Sequence, residues 1–288
     1  MSFITSRRGA LKAVFAVAVA GASLALSACS TGATPSATPT SSTNSLATLT
    51  PGKLTIGTGN PAYEPWVVGD APESGKGYEA AVAYAVADKL GFAKSDVVWV
   101  RTTFDEAIAP GPKNFDFNLQ QYSITPERKA NVDFSSPYYS TTQTVITIKG
   151  SKADGVTTVA GLKGLLIGAA SGTTSFSAIE DVIKPTSGAQ AFNSNDDAKA
   201  ALQAGQIDAL VVDLPTALYL TAVELTDGKI VGQLGGSAAG DQFGLVLDKG
   251  SALTAPVSAA VDALQADGTL AKLQTKWLAD YAGAPVLK

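Results

Sequence analysis

Leu165-Leu166-Ile167-Gly168, Ser171-Gly172-Thr173-Thr174, Ala189-Gln190-Ala191-Phe192, Asn195 to Ala204, and Ile207 to Val212 with Asp213 behind it follow one another in that order. Their order decides the fold class. The first piece is a short apolar run, as a buried strand requires. The second is a small-residue turn that opens a helix. The third is again a strand. The fourth is a helix capped by Asn195 and closed by Gly205. The fifth is a buried strand, followed by a helix from Pro215. Strand and helix alternate, which argues for α/β layers and mostly parallel sheets.

The same alternation precedes this block. Lys53 to Thr58 reads as a strand, Tyr78 to Leu90 as a helix closed by Gly91, and Val97 to Arg101 as a strand. Phe104 to Ile108 is a short helix cut by Pro110 and Pro112. Phe115 to Tyr122 leads to a polar turn, and Thr142 to Lys149 alternates as an extended strand does. After the second block come strands at Lys229–Leu234 and Gln242–Leu247, then helices near 255–266 and 270–281. Extended segments near Thr141–Ile146 and Gly240–Gly244 join the two blocks. The expectation is two α/β lobes on a two-stranded hinge with a cleft between them. Residues 51–142 with 243–288 form lobe 1, and 143–242 form lobe 2.

The N-terminus is of another kind. Arg7, Arg8 and Lys12 precede an uncharged apolar run from Ala13 to Ala28, which is short for a membrane span and fits a signal peptide over residues 1–28. The run ends Leu26-Ser27-Ala28-Cys29, similar to a bacterial lipobox, so Cys29 is expected to carry lipid. The alternative is plain cleavage after Ala28. Ser6-Arg7-Arg8-Gly9-Ala10-Leu11-Lys12 resembles a twin-arginine signal with Ala10 in place of Phe, and ordinary Sec export stays equally open. Ser30 to Thr50 holds five Ser, seven Thr, two Pro and no charge. Such a stretch cannot bury enough apolar surface to fold. Residues 29–50 therefore read as a tether, with a reach of roughly 25 Å as a flexible coil. Localisation is expected to be outside the cytoplasmic membrane, held there by lipid.

Composition narrows the chemistry. Without the leader the chain carries 18 basic and 25 acidic residues, a net of −7, which disfavours nucleic acid and anionic membrane surfaces. Histidine is absent and Cys29 is the sole cysteine. That removes Ser-His-Asp and Cys-His nucleophilic sites and the usual zinc sites. No disulfide can form within the chain, and no phosphate-cradling G-x-x-x-x-G-K-[ST] loop occurs. No cofactor and no metal are expected, and the protein is expected to be a monomer.

Ser123-Ile124-Thr125-Pro126-Glu127-Arg128 and Val132-Asp133-Phe134-Ser135-Ser136-Pro137-Tyr138-Tyr139 resemble a signature of the polar amino-acid family of ABC-transporter solute-binding proteins. That family carries T-x-x-R followed by a vDFS-x-PYY segment. Leu162-Lys163-Gly164, Ser171 to Thr174, Gly205 to Ala209, Asp213, Gly268 and Lys276-Trp277 extend the resemblance over Leu54 to Leu278. It implies a type II periplasmic-binding fold, a free amino acid held between lobes, delivery to an ABC permease, and no catalysis.

Residue by residue, the resemblance implies that Arg128 holds the ligand carboxylate with Thr173 and Thr174, that Asp213 holds the ammonium, and that Ser123 also contacts the ligand. The chemistry agrees, since a planar guanidinium matches a carboxylate and an acceptor-only carboxylate matches an ammonium. Without the resemblance, Arg128 reads as a solvated charge, Asp213 as a helix cap and the threonines as caps. Asp208 lies in a piece that is structural in the family. Tyr63 and Phe104 align with walls of the side-chain pocket. Trp66 and Glu64 lie in the same loop as Tyr63, either as further walls or as packing. Gln120 and Gln121 stand where small residues are common, and either fill space or offer amides to a polar ligand. Gly59-Asn60 replaces an acidic residue frequent in relatives, which weakens a transfer of cationic specificity: a polar uncharged, a cationic and a modified amino acid all stay open, with a lean to a polar one. Two other functions share the fold: a lyase resembling cyclohexadienyl dehydratase, for which Glu64 is the one available acid, and a ligand-sensing receptor.

Overall fold

The structure is a computed structural model that describes residues 46–235, 240–279 and 283–288. The leader, Cys29 and the tether up to residue 45 lie outside the described residues.

The strands are β1 (Leu54–Gly59), β2 (Val97–Thr102), β3 (Phe117–Asn118), β4 (Val132–Phe134), β5 (Tyr139–Thr141), β6 (Gln143–Ile148), β7 (Ile167–Ala170), β8 (Gln190–Phe192), β9 (Ala209–Asp213), β10 (Gly228–Gln233), β11 (Asp241–Phe243) and β12 (Val246–Asp248). The helices are α1 (Tyr78–Lys89), α2 (Phe104–Ile108), α3 (Pro126–Asn131), α4 (Val159–Leu162), α5 (Thr174–Ala178), α6 (Asn195–Gln203), α7 (Leu214–Tyr219), α8 (Thr254–Ala266) and α9 (Thr269–Leu278).

They build two five-stranded sheets, ordered β2-β1-β3-β12-β4 and β10-β6-β9-β7-β8, and a two-stranded sheet of β5 and β11. The two-stranded sheet is the crossing between lobes: Asp241 pairs Thr141, and Phe243 pairs Tyr139, antiparallel. The expected strand Gln242–Leu247 is thus two strands, β11 in the crossing and β12 in the first sheet. The expected predominance of parallel pairing also needs correcting. β1 runs parallel to β2 and β3, and β7 parallel to β8 and β9, but β12 and β6 pair antiparallel to every neighbour. Both arrive from the other lobe, against the direction of the local βαβ winding.

Each sheet has its own core. Leu54, Ile56, Val82, Val86, Phe117, Leu247, Val257 and Val261 pack β1, β3 and β12 against α1 and α8. Val145, Ile167, Val211 and Ile179 form one face of the second sheet, and Ile146, Leu202, Leu210 and Val212 the other. The crossing has an aromatic cluster. Trp66, with 0% exposure, meets Tyr139 edge-on at 5.5 Å and Phe243 at 5.7 Å between ring centroids. Its Nε1 donates to Thr216 Oγ1 at 3.0 Å, one lobe to the other.

Local signals are largely as read. Ser194, rather than Asn195, caps α6, its Oγ accepting from Asp197 N at 3.1 Å. Asp208 is structural: its Oδ2 accepts from Leu166 N at 2.9 Å. The assignment of all of 243–288 to lobe 1 fails at its end. After α9 the chain returns to the second sheet, where Gln233 N donates to Pro285 O at 2.7 Å, Leu287 N donates to Gln233 O at 2.9 Å, and Leu287 enters that core.

Gly77 precedes α1 with φ +100, and a Cβ there would stand 2.4 Å from the Trp66 carbonyl oxygen. Gly77→Ala therefore forces a left-handed backbone and a backbone overlap together. A loss of at least about 1–3 kcal/mol is expected, read as a lower urea midpoint with an unchanged slope.

Candidate functional site

Most walls of the interlobe cleft stand at or just past the C-terminal end of a strand, and Arg128 enters from α3. Asn60 and Tyr63 follow β1, Thr103 to Asp105 follow β2, and Gln120 and Gln121 follow β3. Across from them, Ser171, Thr173 and Thr174 follow β7, Asn193 to Asn195 follow β8, and Asp213 ends β9. Open α/β sheets place ligands at such strand ends. The cavity they enclose is about 150 Å³. A single water needs about 10–15 Å³ of such space, so the cleft suits a molecule of roughly ten heavy atoms.

Arg128 is placed by a capped turn. Thr125 Oγ1 accepts from Arg128 N at 3.2 Å, and Pro126 opens α3, so Arg128 sits at the third helical position. The side chain is 8% exposed. Its Nη1 donates to Ser123 O at 2.8 Å and its Nη2 to Gly172 O at 2.9 Å. These acceptors belong to different lobes. Phe104 lies beneath the guanidinium at 5.2 Å, a cation–π distance. Among the described residues Arg128 makes no ion pair. Burial pulls its pKa down, and Tyr122, Asp213, Asp241 and Asp105 pull it back up. A buried cation held only by carbonyls has unused capacity for an anion. The reading of Arg128 as a solvated charge is excluded.

Asp213 precedes α7 yet makes no side-chain cap bond. Its Oδ1 accepts from Gln143 Nε2 at 2.9 Å. Burial raises its pKa to about 8, the like charge of Asp241 adds to the rise, and Gln143 and Arg128 oppose it. The cap reading for Asp213 fails, and the cleft receives a carboxyl group in want of a cation.

The other expected residues divide. Tyr63 and Phe104 line the cleft. Burial, then the Asp196 carboxylate across the cleft, pushes the Tyr63 phenol up. Thr173 spends its hydroxyl on capping, accepting from Phe176 N at 3.1 Å and donating to Ala170 O at 2.7 Å. Thr174 Oγ1 lies 3.1 Å from Ser123 Oγ, lobe to lobe. Ser123 is behind the wall, with its hydroxyl near Thr174 and Asp241. Gln120 lines the cleft while accepting from Tyr122 Oη at 2.9 Å.

Gln121 lines the cleft in a left-handed backbone, φ +51, but its amide nitrogen is committed elsewhere. Its backbone N donates to Glu79 Oε1 at 2.8 Å and its Nε2 to Glu79 Oε2. Glu79 is fully buried and also accepts from the Tyr138 hydroxyl; burial raises its pKa to about 7. Trp66 is packing, not wall. Glu64 also stands off the cleft, beside a small side cavity with its Oε1 accepting from Gly69 N at 3.1 Å.

Sequence reasoning missed Asn60, Thr103, Asp105, Ser171 and Asn193 to Asn195. The signal that would have found them is position directly after a strand. Gly172 is one place where the lobes approach closely: φ is +70 and a Cβ would lie 2.7 Å from Asp105 Oδ1. Among the described residues no cluster of three His, Cys, Asp or Glu is arranged to hold a metal ion.

Residues 54–280 match the family described as bacterial extracellular solute-binding proteins, family 3. The chain belongs to that family. Among curated relatives, an L-arginine-binding protein of Pseudomonas aeruginosa is 28% identical over 232 residues, covering 75% of this chain and 84% of that protein. A glutamine-binding protein of an ABC transporter in Bacillus subtilis is 30% identical over 213 residues, covering 72% and 75%. Among solved structures, an ancestral arginine-binding protein bound to glutamine is 31% identical with a TM-score of 0.66, covering 78% of this chain and 97% of that one. The two-lobed α/β architecture of these solute-binding proteins is the one described above.

The raised pKa of Asp213 fixes a sign. Its folded value lies above the roughly 3.9 of an unfolded Asp, so the folded state binds more protons between those values. The contribution to stability is present at acid pH and is lost as pH rises toward about 8. Unliganded wild type should therefore lose more melting temperature between pH 5 and 8.5 than Asp213→Asn. Identical slopes would remove the assignment.

Proposed function

We propose that this protein captures a free α-amino acid outside the cytoplasmic membrane and delivers it to an ABC importer. The observation that carries the reading is the pair at the cleft: Arg128, buried without an ion pair, and Asp213, a carboxyl without a cation, both facing one cavity of amino-acid size. A zwitterion supplies the missing partner of each. Arg128 takes the carboxylate as a planar donor, assisted by Thr174 and the Ser123 hydroxyl behind it. Asp213 takes the ammonium. Closure is favoured because each lobe brings one member of the pair, so both contacts exist only when the lobes meet. The names of the relatives support the same ligand class.

The rest of the cleft supports a polar, uncharged side chain. Its walls are amides and hydroxyls, Asn60, Thr103, Gln120, Asn193 and Asn195, with Tyr63 and Phe104 as aromatic faces. Asp105 lies at the Gly172 end, beside Arg128. An anionic ligand side chain buried among amides would lack a counter-charge and lose affinity, whereas an amide side chain finds donors and acceptors. A lyase reading loses its acid, because Glu64 stands outside the cleft.

Cys29 is the proposed lipid attachment point, residues 1–28 the removed leader, and residues 29–50 the tether. Lobe 1 is then 51–142 with 243–283, lobe 2 is 143–242 with the tail, and the working unit is a monomer.

Calorimetry against the common amino acids tests the reading. A neutral polar amino acid should bind, glutamate should bind more weakly, and Arg128→Ala should weaken binding by about 3 kcal/mol, roughly hundredfold. Undiminished binding by that variant, or none by wild type to any amino acid, would sink it. Expressed in a bacterium with a single membrane, Cys29→Ala should shift the protein from the membrane fraction to the medium.

A further inference from the structure

Behind the cleft wall two carboxylates meet on one amide. Gln143, the first residue of β6, is 8% exposed. Its Nε2 donates to Asp213 Oδ1 at 2.9 Å and to Asp241 Oδ2 at 2.8 Å. Its Oε1 accepts from Ser175 Oγ at 2.6 Å, which fixes the amide with its donor end toward the acids. Asp241 opens β11, the returning strand of the crossing, and does not line the cleft. It is also 3.4 Å from Ser123 Oγ.

We propose that Asp241 and Gln143 are opposed positioning residues behind the ammonium seat: Asp241 repels negative charge on Asp213, and Gln143 steadies it. The proposal rests on Asp213 being that seat. Neither residue touches the ligand, and each acts through Asp213.

The physical argument is like-charge repulsion in a site shielded from water. Two carboxylates on one donor resist being ionised together. The groups facing Asp213 are Asp241 on β11, Arg128 on α3, Glu79 on α1, and Tyr138 and Tyr139 at the start of the crossing. Arg128 is the only cation among them. It is committed to two carbonyls and, on the proposed function, to the ligand carboxylate. An arriving ammonium is the group that relieves Asp213. Without it, Asp213 keeps its proton into the alkaline range, so the ligand must displace that proton. Binding therefore weakens as pH falls, and the midpoint of the change is set by Asp241 in one direction and Gln143 in the other. Because Asp241 is part of the crossing itself, occupation of the seat is felt where the two lobes are joined.

The test is calorimetry on wild type, Asp241→Asn and Gln143→Met at pH 6 and 8.5, with L-glutamine and L-arginine as probes. Titration of the ligand itself is common to all three proteins and cancels. In Asp241→Asn the ratio of Kd at pH 6 to Kd at pH 8.5 should fall by about tenfold, the effect of one pKa unit. In Gln143→Met the ratio should rise. Equal ratios in all three proteins, or both variants moving the same way, overturn the proposal. A role in folding alone would lower stability without moving the two ratios apart. Should Gln143→Met fail to fold, Asp241→Asn carries the test, and an unchanged ratio in it is enough to reject. Should wild type bind neither probe at either pH, the amino-acid reading is what has failed for those probes. The charge relation is then read directly, by carboxyl NMR titration of Asp213 in the unliganded proteins, where Asp241→Asn must move the midpoint to lower pH.

Discussion

A guanidinium kept from water without an ion pair among the described residues is the constraint on which the cleft depends. Arg128 is held by one carbonyl from each lobe and by the face of Phe104. These contacts fix its direction but do not neutralise its charge, and an uncompensated buried charge is costly. Arg128 is one of the points where the two lobes touch, together with the Trp66–Thr216 and Ser123–Thr174 contacts. Removing the charge would ease folding and remove the reason for the lobes to close. The same logic runs with opposite sign at Asp213, where a carboxyl takes up a proton for want of a cation. Binding sites are often destabilised in this way, and the two defects here are complementary.

The topology explains how a single chain brings these groups together. In each sheet the parallel strands point their C-terminal ends at the cleft, so a loop of a few residues after each strand becomes a wall. The antiparallel strands β6 and β12 are the ones that have crossed over. Near the crossing, Tyr78, Trp66 and Phe243 are buried and form an aromatic cluster with the half-buried Tyr139.

Much of this is written in the chain. Hydrophobic periodicity and turn residues locate most elements within a residue or two, since strands such as β1 and β7 are buried throughout and helices such as α2, α5 and α6 carry side-chain caps. Arg128 and Asp213 are legible because T-x-x-R and an acid after an apolar strand are specific when found together in order. Other parts are not legible. Gln143 reads as one polar residue at a strand start, and Asp241 as a charge in a glycine-rich loop. Their importance exists only once β6 and β11 have been brought side by side. Trp66 and Tyr63 lie three residues apart in one loop, and sequence does not tell which turns into the core and which into the cleft. Nor does Gln121 disclose that its amide is spent on Glu79, far away along the chain. Parallel pairing was overestimated because alternation reports connectivity, whereas strand direction depends on which lobe a strand has come from.

The returning tail has a practical corollary. Leu46 packs on the core of the first sheet and Leu287 enters that of the second, so the two ends of the folded body ride on different lobes. If the lobes close as proposed, fluorophores attached beside Leu46 and Leu287 would report that closure as a change in separation. The protein is in effect already wired as a distance gauge, with no need to break a loop or permute the chain to install the two labels.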